Sequence, residues 1–269
     1  MKVELLAPAG SFLKLKTAFY FGADAAYIGG KDFSLRSFAD NFTRDELASA
    51  VKYAHASGKK VYVTANIFAK NADMPLLEDY FSYLQYIEAD AAIVSDAGVL
   101  YAAKKSAPSL HLHISTQANL TNKYAVKFWS EQGAARVILA RELSLDEIAE
   151  IHSFVPETEL ETFVHGAMCI SYSGRCLLSD YLAHRPSNRG ECVQACRWNY
   201  SIQKSDPSPD GGKLEIQEDG RGTYISNSKD LNMSAHLAKL EKAGVCSFKI
   251  EGRMKSEYYL ATVINAYRR

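Results

Sequence analysis

The sequence predicts a single closed parallel (β/α)8 barrel of the TIM type. Short β-rich runs alternate with amphipathic segments, the pattern expected of βα units around a parallel sheet. There are eight such units at regular spacing, and several helical segments end at a glycine just before the next strand. Regular spacing of eight units favours a closed barrel over the alternative, a doubly wound open sheet.

The predicted strands are short and apolar. In chain order they are Val3–Ala7, Ala25–Ile28, Val61–Ala65, Ala91–Val94, His111–Ile114, Arg136–Leu139, Glu159–Val164 and Ser247–Ile250. Segments with helical periodicity fit between them: Leu13–Phe21, Arg44–Ser57, Leu76–Ile87, Ala97–Ser106, Lys123–Gln132, Leu145–Phe154 and Met233–Ala243. Gly22, Gly58, Gly133 and Gly244 end four of these segments, where glycine supplies a left-handed cap.

One long interruption separates the seventh and eighth strands. It runs from Ile170 to Leu231 and is too long for a plain loop. Small antiparallel strands are predicted within it at Trp198–Lys204, Lys213–Gln217 and Thr223–Ser226. We therefore expect residues 1–269 to form one barrel domain with an insertion at about 170–231 that leaves the catalytic face. The helical pattern at the carboxyl terminus stops without a Gly or Pro terminator, so we expect the native chain to continue.

Charge and hydropathy limit the classes of partner. Lys plus Arg number 31 and Asp plus Glu number 31, so no net field attracts nucleic acid and any RNA contact must use a local patch. The amino terminus carries Glu4 inside its short apolar run, unlike a secretory signal. No apolar run reaches the roughly 20 residues of a membrane helix. We expect a cytoplasmic protein without a membrane partner, in which cysteines stay reduced.

Four of the five cysteines fall within 28 residues, at the start of the insertion and within it: Cys169, Cys176, Cys192 and Cys196. Clustered thiols in a cytosolic chain indicate a metal or iron–sulfur site before a disulfide. The alternative is that they are small buried hydrophobes, which is how we interpret Cys246 before the last strand. The spacing is not CxxC, so a cluster held across a long loop is favoured over a zinc ribbon, although spacing alone leaves both open.

Polar residues just past the strands are the other candidates, because barrel chemistry occurs where strands run into βα loops. His165 and Glu251 are candidate catalytic groups, and His165 is suited to acid–base work. The alternative for His165 is a hydrogen bond that orients the cysteine loop.

Four further strand-end residues are candidate substrate-binding groups: Asn66, Gln117, Arg141 and Arg253. The two arginines could grip a carboxylate at two points. Alternatively they brace loops by pairing with Glu142 and Glu251. Gln117 and Asn119 could each bind substrate by hydrogen bonds or cap the next helix. For Asn119 the helix cap is the favoured interpretation. Gly29–Gly30 suggests backbone close to a ligand.

Several long motifs carry a family resemblance. They are ETFVHGAMCISYSGRCLLS (Glu161–Ser179), ELLAPAGS at the start, ISTQANLTN (Ile114–Asn122), NRGECVQACRWNY (Asn188–Tyr200), NSKDL (Asn227–Leu231) and FKIEGRMKS (Phe248–Ser256). Through them nearly the whole chain resembles peptidase family U32, the collagenase-like peptidases.

The resemblance implies oxygen-independent hydroxylation more than proteolysis. Members include proteins that form 5-hydroxyuridine in tRNA with prephenate as the hydroxyl source, and several carry a [4Fe–4S] cluster, which air can destroy, on cysteines of this loop. The resemblance thus implies tRNA as a partner and Cys169, Cys176, Cys192 and Cys196 as metal ligands. Relatives often have a cysteine where this chain has Asn232. Many have an additional carboxyl-terminal domain, which we do not expect within residues 1–269.

Three functions compete at this point. The first is an RNA hydroxylase, and the second is a peptidase, although the sequence has no HExxH or GxSxG motif. The third is a scaffold subunit of a hydroxylase complex, which would require a protein partner. For RNA contact we predict basic residues in or beside the insertion, with aromatic residues that stack an unpaired base or pack on the barrel. The basic residues are Arg175, Arg185, Arg189, Arg197, Lys229 and Lys255; the aromatic ones are Tyr172, Tyr181 and Trp198.

Overall fold

A computed structural model describes residues 3–35, 40–169, 171–172, 175–198, 217–219, 222–224 and 230–269. Its main element is a closed barrel of eight parallel strands, which confirms the predicted fold. The barrel strands are β1 (Glu4–Pro8), β2 (Ala25–Gly29), β3 (Lys60–Ala65), β4 (Ala91–Val94), β5 (Leu112–Ile114), β6 (Arg136–Ile138), β7 (Glu159–Gly166) and β11 (Val245–Ile250). Each strand pairs with its neighbour, β7 pairs with both β6 and β11, and β11 closes the barrel on β1.

Helices surround the barrel at the positions that the apolar periodicity predicts. They are α1 (Phe12–Tyr20), α2 (Arg44–His55), α3 (Met74–Tyr86), α4 (Ala97–Ser106), α5 (Lys123–Glu131), α6 (Leu145–Phe154), α8 (Leu237–Lys242) and α9 (Glu257–Arg268). The four glycines predicted to cap helices all have positive φ, between 62° at Gly58 and 107° at Gly22. At Gly244 (φ 97°) a methyl group would also overlap the His152 ring. None of the helices in the described ranges is long and apolar enough to cross a bilayer.

The apolar core lies mainly between the strands and the helices, whereas the barrel interior is partly charged. Tyr27, Tyr62 and Phe163 lie among the interior side chains. Below them, Arg136 donates to Glu4 at 2.5 Å and to Glu161 at 3.2 Å, and Glu161 has no exposed surface. Buried charges are stable only when paired in this way. This interior ion network was not predicted from the sequence.

The chain between β7 and β11 contains short elements. A helix, α7 (Leu178–Ala183), was not predicted, and two 310 turns follow at Ser187–Arg189 and Ala195–Arg197. Two small strands, β8 (Gln217–Asp219) and β9 (Gly222–Tyr224), pair antiparallel. They overlap only the ends of the predicted Lys213–Gln217 and Thr223–Ser226, whose remainder, like most of Trp198–Lys204, lies outside the described residues.

Several contacts attach the segment to the barrel. A further strand, β10 (Leu231–Asn232), lies antiparallel on β7. In addition, Arg189 donates to Asp73 in two-point geometry, at 2.8 and 3.2 Å, and to the Phe68 carbonyl at 2.8 Å. Charge-assisted pairs of this form are both strong and directional. Arg189 therefore fixes the cysteine-bearing segment to the loop after β3.

Candidate functional site

The four clustered cysteines line one cavity at the carboxyl end of the barrel strands. Cys169 follows β7, Cys176 precedes α7, and Cys192 and Cys196 lie beyond it. The cavity has a volume of about 410 Å³, and we call it the cysteine cavity. The topology thus brings together thiols that are as much as 27 positions apart in the sequence.

Local hydrogen bonds fix the loop around Cys176. Ser187 Oγ donates to the Cys176 carbonyl at 2.6 Å, and Asn188 Nδ2 donates to the same oxygen at 3.2 Å. The Asn188 side chain also accepts from the Cys176 amide at 3.4 Å, and the Leu178 amide donates to Cys176 Sγ at 3.4 Å. These four hydrogen bonds fix the position of Cys176 at the wall of the cavity.

The thiols act on one another electrostatically. Burial raises the pKa of the Cys196 thiol most, and the nearby Cys169, Cys192 and Cys176 raise it further, while Arg197 lowers it. Mutual repulsion of this kind disfavours four thiolates unless a cation lies between them. The donor set therefore fits a cationic metal group held by sulfur.

Among the described residues, no group of three or more His, Cys, Asp or Glu side chains is arranged so as to hold a metal ion. Cys246 lies apart from the group: its Sγ donates to the Leu160 carbonyl at the start of β7, and burial raises its pKa to about 11.

A second, smaller cavity lies deeper in the barrel. Its volume is about 70 Å³, and we call it the barrel pocket. Its polar lining consists mainly of Asn66, Gln117, Arg141, Lys249, Glu251 and Arg253. Gln117, Arg141 and Glu251 also line the cysteine cavity, so the two spaces adjoin. The structure thus brings together five of the six strand-end residues selected from the sequence.

Arg253 is the most constrained of these residues. It is 3% exposed, and its guanidinium donates to Ser34 Oγ at 2.7 Å, to Thr64 Oγ1 at 3.2 Å and to Asn41 Oδ1. A methyl group at Gly29 would overlap both the guanidinium and Ser34 Oγ. Gly29, whose backbone was predicted to lie close to a ligand, instead leaves room for the Arg253 side chain.

Arg141 lies between the two cavities. Its Nη1 donates to the Ala167 carbonyl at 3.0 Å, and its guanidinium stacks 4.2 Å from the Phe163 ring centre. Flat stacking of this kind suits arginine rather than lysine. The contact with Ala167 also connects Arg141 to the start of the cysteine-bearing segment.

The amide side chains differ in their surroundings. Asn66 accepts from the Leu35 amide at 3.4 Å and contacts Ser115 Oγ at 3.5 Å. Gln117 Oε1 is buried without a hydrogen-bond partner among the described residues, as expected of a group that receives a ligand. Helix α5 is capped by Asn122, not by Asn119, which has φ 62° and ends a 310 turn. The predicted capping role of Asn119 was wrong.

His165 does not belong to this group. Its Nδ1 lies 3.2 Å from the Tyr267 hydroxyl, and its ring packs against Tyr259 and Tyr267 of α9. The cause is a register shift: Lys249 pairs with Phe163, but Ile250 pairs with His165. The extra residue in β7 breaks the two-residue alternation and directs His165 outward. Burial lowers its pKa, and Asp230 partly offsets this.

Asn232, which stands where relatives often have a cysteine, lies on the same outer side. It pairs with His165 across β10 and β7, and its Oδ1 accepts from the Ser234 amide at 3.1 Å and from the Tyr267 hydroxyl at 3.2 Å. It does not line the cysteine cavity, whereas Cys196 does. The fourth thiol of the cavity is therefore Cys196.

One lining residue was missed in the sequence analysis. Lys249 lies in β11 between apolar neighbours, is 4% exposed, and donates to Glu161 at 2.7 Å. Burial lowers its pKa more than Glu161 raises it. The available signal was a lysine at an inward position of a buried strand, since charged residues are rarely buried without a partner.

Exposed aromatic and basic residues lie close in the chain to the lining of the cysteine cavity, and we call them the rim. Tyr172 and Trp198 directly follow the lining residues Ser171 and Arg197, and Tyr181 lies on α7, whose first residues line the cavity. Arg197 and Lys255 line the cavity and are partly exposed, and the exposed Arg175 donates to the carbonyl of the lining residue Gln117 at 3.2 Å. Arg189 is occupied by Asp73, which removes it from the predicted RNA-binding set, and Lys229 lies outside the described residues.

Comparison with known proteins gives close relatives. The chain is 47% identical over 268 residues to tRNA hydroxylation protein P1 of Bacillus subtilis, covering 100% of this chain and 63% of that protein. It is 41% identical over 305 residues to tRNA hydroxylation protein P of Escherichia coli, covering 100% of this chain and 67% of that protein. The chain thus spans about two thirds of the length of these relatives.

A solved structure and a family model agree with this result. The structure of the U32 peptidase Mk0906 aligns with a TM-score of 0.61 at 14% identity, covering 95% of each chain, which supports the fold. The model described as peptidase family U32 matches residues 10–269. The resemblance inferred from the motifs is confirmed: this chain belongs to peptidase family U32.

Proposed function

We propose that this chain hydroxylates a uridine of tRNA to 5-hydroxyuridine, with a [4Fe–4S] cluster on Cys169, Cys176, Cys192 and Cys196 and with prephenate as the hydroxyl donor. The observation that carries the proposal is the adjacency of the two cavities. Four thiols surround one cavity, and a pocket lined by arginines and amides opens beside it. The names of the two relatives support tRNA hydroxylation as the activity of this chain.

Each group of residues has a chemical task in this proposal. A cluster in the cysteine cavity would supply one-electron chemistry that side chains do not provide. Arg141 and Arg253 bind and orient a carboxylate of the co-substrate, and Asn66 and Gln117 add neutral hydrogen bonds. Glu251, which lines both cavities, is the carboxylate placed to hold or move a proton between them. His165 faces α9 and has no part in this arrangement.

The tRNA enters from the rim of the cysteine cavity. Tyr172, Tyr181 and Trp198 are exposed, close in the chain to the cavity lining, and present faces on which an unpaired base can stack. Lys255, which lines the cavity, and the exposed Arg175, which donates to the Gln117 carbonyl, provide positive charge for the phosphates. Because the chain has no net charge, this local patch is the source of electrostatic attraction for tRNA.

The competing functions are less well supported. In a peptidase, one of these cysteines would need a base beside it, but the His165 ring packs on Tyr259 and Tyr267 instead. A scaffold role would not explain why the cysteine cavity adjoins the barrel pocket. We therefore place both below the hydroxylase.

The test is nucleoside analysis of tRNA from cells that lack their own 5-hydroxyuridine-forming proteins and express this chain. We expect 5-hydroxyuridine with the wild-type chain and with the Cys246→Ser control, and its loss with Cys169→Ser. Unmodified tRNA from a stable, cluster-loaded chain supplied with prephenate would contradict the proposal. Cleavage of gelatin by that preparation would favour the peptidase instead.

A further inference from the structure

A lysine forms the floor of the barrel pocket. Lys249 points inward from β11, and its Nζ lies 4.5 Å from the Tyr27 ring centre and 5.5 Å from that of Phe163. These ring faces and the Glu161 carboxylate, 2.7 Å away, hold the ammonium in one place. A lysine fixed in this way can act as a preformed binding group.

The carboxylate beside Lys249 also has a second partner. Glu161 accepts from Arg136 at 3.2 Å through its other oxygen, and Arg136 pairs in addition with Glu4 and Glu159. Burial lowers the pKa of Lys249 in spite of Glu161. The ammonium is therefore in a position where a further carboxylate would stabilise it.

The pocket above has the size and composition for that carboxylate. Its lining contains Arg141, Lys249 and Arg253 against one carboxylate, Glu251. The volume of about 70 Å³ suits a carboxylate group rather than a whole ring-bearing acid. The remainder of such an acid would extend into the adjoining cysteine cavity, which is several times larger.

We infer that Lys249 is a positioning residue that binds one carboxylate of a small organic acid at the base of the barrel pocket and directs the rest of that acid toward the cysteines. The identity of the acid rests on the function proposed above. The subsite itself rests on Lys249, its neighbours and the shape of the two cavities.

The test is calorimetric binding of prephenate and of malonate to the cluster-loaded chain without tRNA. Replacing Lys249 alone would remove one of the two cations that neutralise the buried Glu161 carboxylate. The variant is therefore the double substitution Glu161→Gln, Lys249→Gln, in which a neutral pair replaces the ion pair. Loss of a charge-assisted hydrogen bond should weaken both acids on the order of 10- to 100-fold. Lys239→Gln, an exposed lysine of α8, is the control and should bind as the wild type does.

Wild-type affinity in the double variant, or no binding of either acid to the wild type, would overturn the inference. If the double variant fails to fold, a crystal structure of the wild type with malonate decides: the inference requires a malonate carboxylate within hydrogen-bonding distance of Lys249 Nζ. Malonate binding that depends on Lys249 in a protein that leaves tRNA unmodified would refute the proposed function and not the subsite. If the wild type hydroxylates tRNA but the double variant binds both acids with unchanged affinity, the subsite is refuted and the proposed function is not.

Discussion

Replacing Arg253 with lysine should destabilise the fold and weaken co-substrate use together. Lysine keeps the charge but presents its donors from a single atom, whereas Arg253 spans Ser34, Thr64 and Asn41 from two nitrogens. We expect lysine to keep one of these three hydrogen bonds. At about 1.5 kcal/mol for each hydrogen bond from a charged donor that is removed, the cost is about 3 kcal/mol.

Thermal and urea unfolding would measure this loss. For a chain of this size, Tm should fall by roughly 6–12 °C, and KM for prephenate should rise. Arg44→Lys is the matched control, because Arg44 pairs with Asp79 at the surface and should change stability by less than about 1 kcal/mol. Gly29→Ala, whose methyl group would displace the same guanidinium, should reproduce both effects. An Arg253→Lys protein with wild-type Tm and wild-type KM would refute this reasoning.

Two further predictions concern the cysteine-bearing segment. Arg175→Gln, Arg185→Gln and Lys255→Gln together should weaken tRNA binding and reduce the log–log salt slope by about one unit for each phosphate that is no longer neutralised; filter binding at several salt concentrations measures this. Asp73→Asn should cost about 1 kcal/mol at neutral pH, because it breaks the two-point pairing with Arg189. Hydrogen bonding from Arg189 lowers the pKa of Asp73, so the contribution is present above the ordinary carboxyl pKa of about 3.9 and disappears as pH falls through the lowered value.

Each of these experiments has a control in the same chain. Lys52, Lys239 and Lys242, exposed on α2 and α8, give a triple variant of equal charge change that should leave the salt slope intact. If the variant with Arg175→Gln, Arg185→Gln and Lys255→Gln also keeps the wild-type salt slope of tRNA binding, the RNA site lies elsewhere. For Asp73, the comparison is Asp79→Asn at the surface; equal urea midpoints for Asp73→Asn and wild type at neutral pH would show that the pairing with Arg189 does not hold the segment.

The sequence was most informative where local rules determine structure. Apolar periodicity and the glycines at 22, 58, 133 and 244 located the barrel strands and helix ends, because a left-handed cap is a local requirement. Strand-end position then selected Asn66, Gln117, Arg141, Glu251 and Arg253, since all barrel strands end on one face. Convergence of these residues follows directly from a closed parallel sheet.

The features that the sequence analysis missed depend on tertiary packing. The bulge that directs His165 outward appears only in the pairing of β7 with β11, because alternation along one strand does not reveal an extra residue. The ion network of Glu4, Arg136, Glu161 and Lys249 joins four strands distant in sequence. The pairing of Arg189 with Asp73 was not predicted, because the two residues are 116 positions apart in the sequence.

The absorption spectrum of protein purified without oxygen reveals whether the four cysteines hold one iron–sulfur cluster. We predict a broad band at about 400 nm in the wild type and in Cys246→Ser. The band should be absent or reduced in each of Cys169→Ser, Cys176→Ser, Cys192→Ser and Cys196→Ser, with iron content falling in parallel. A wild-type protein without iron or the band, or a Cys196→Ser protein with an undiminished one, would contradict the proposed cluster and its ligands.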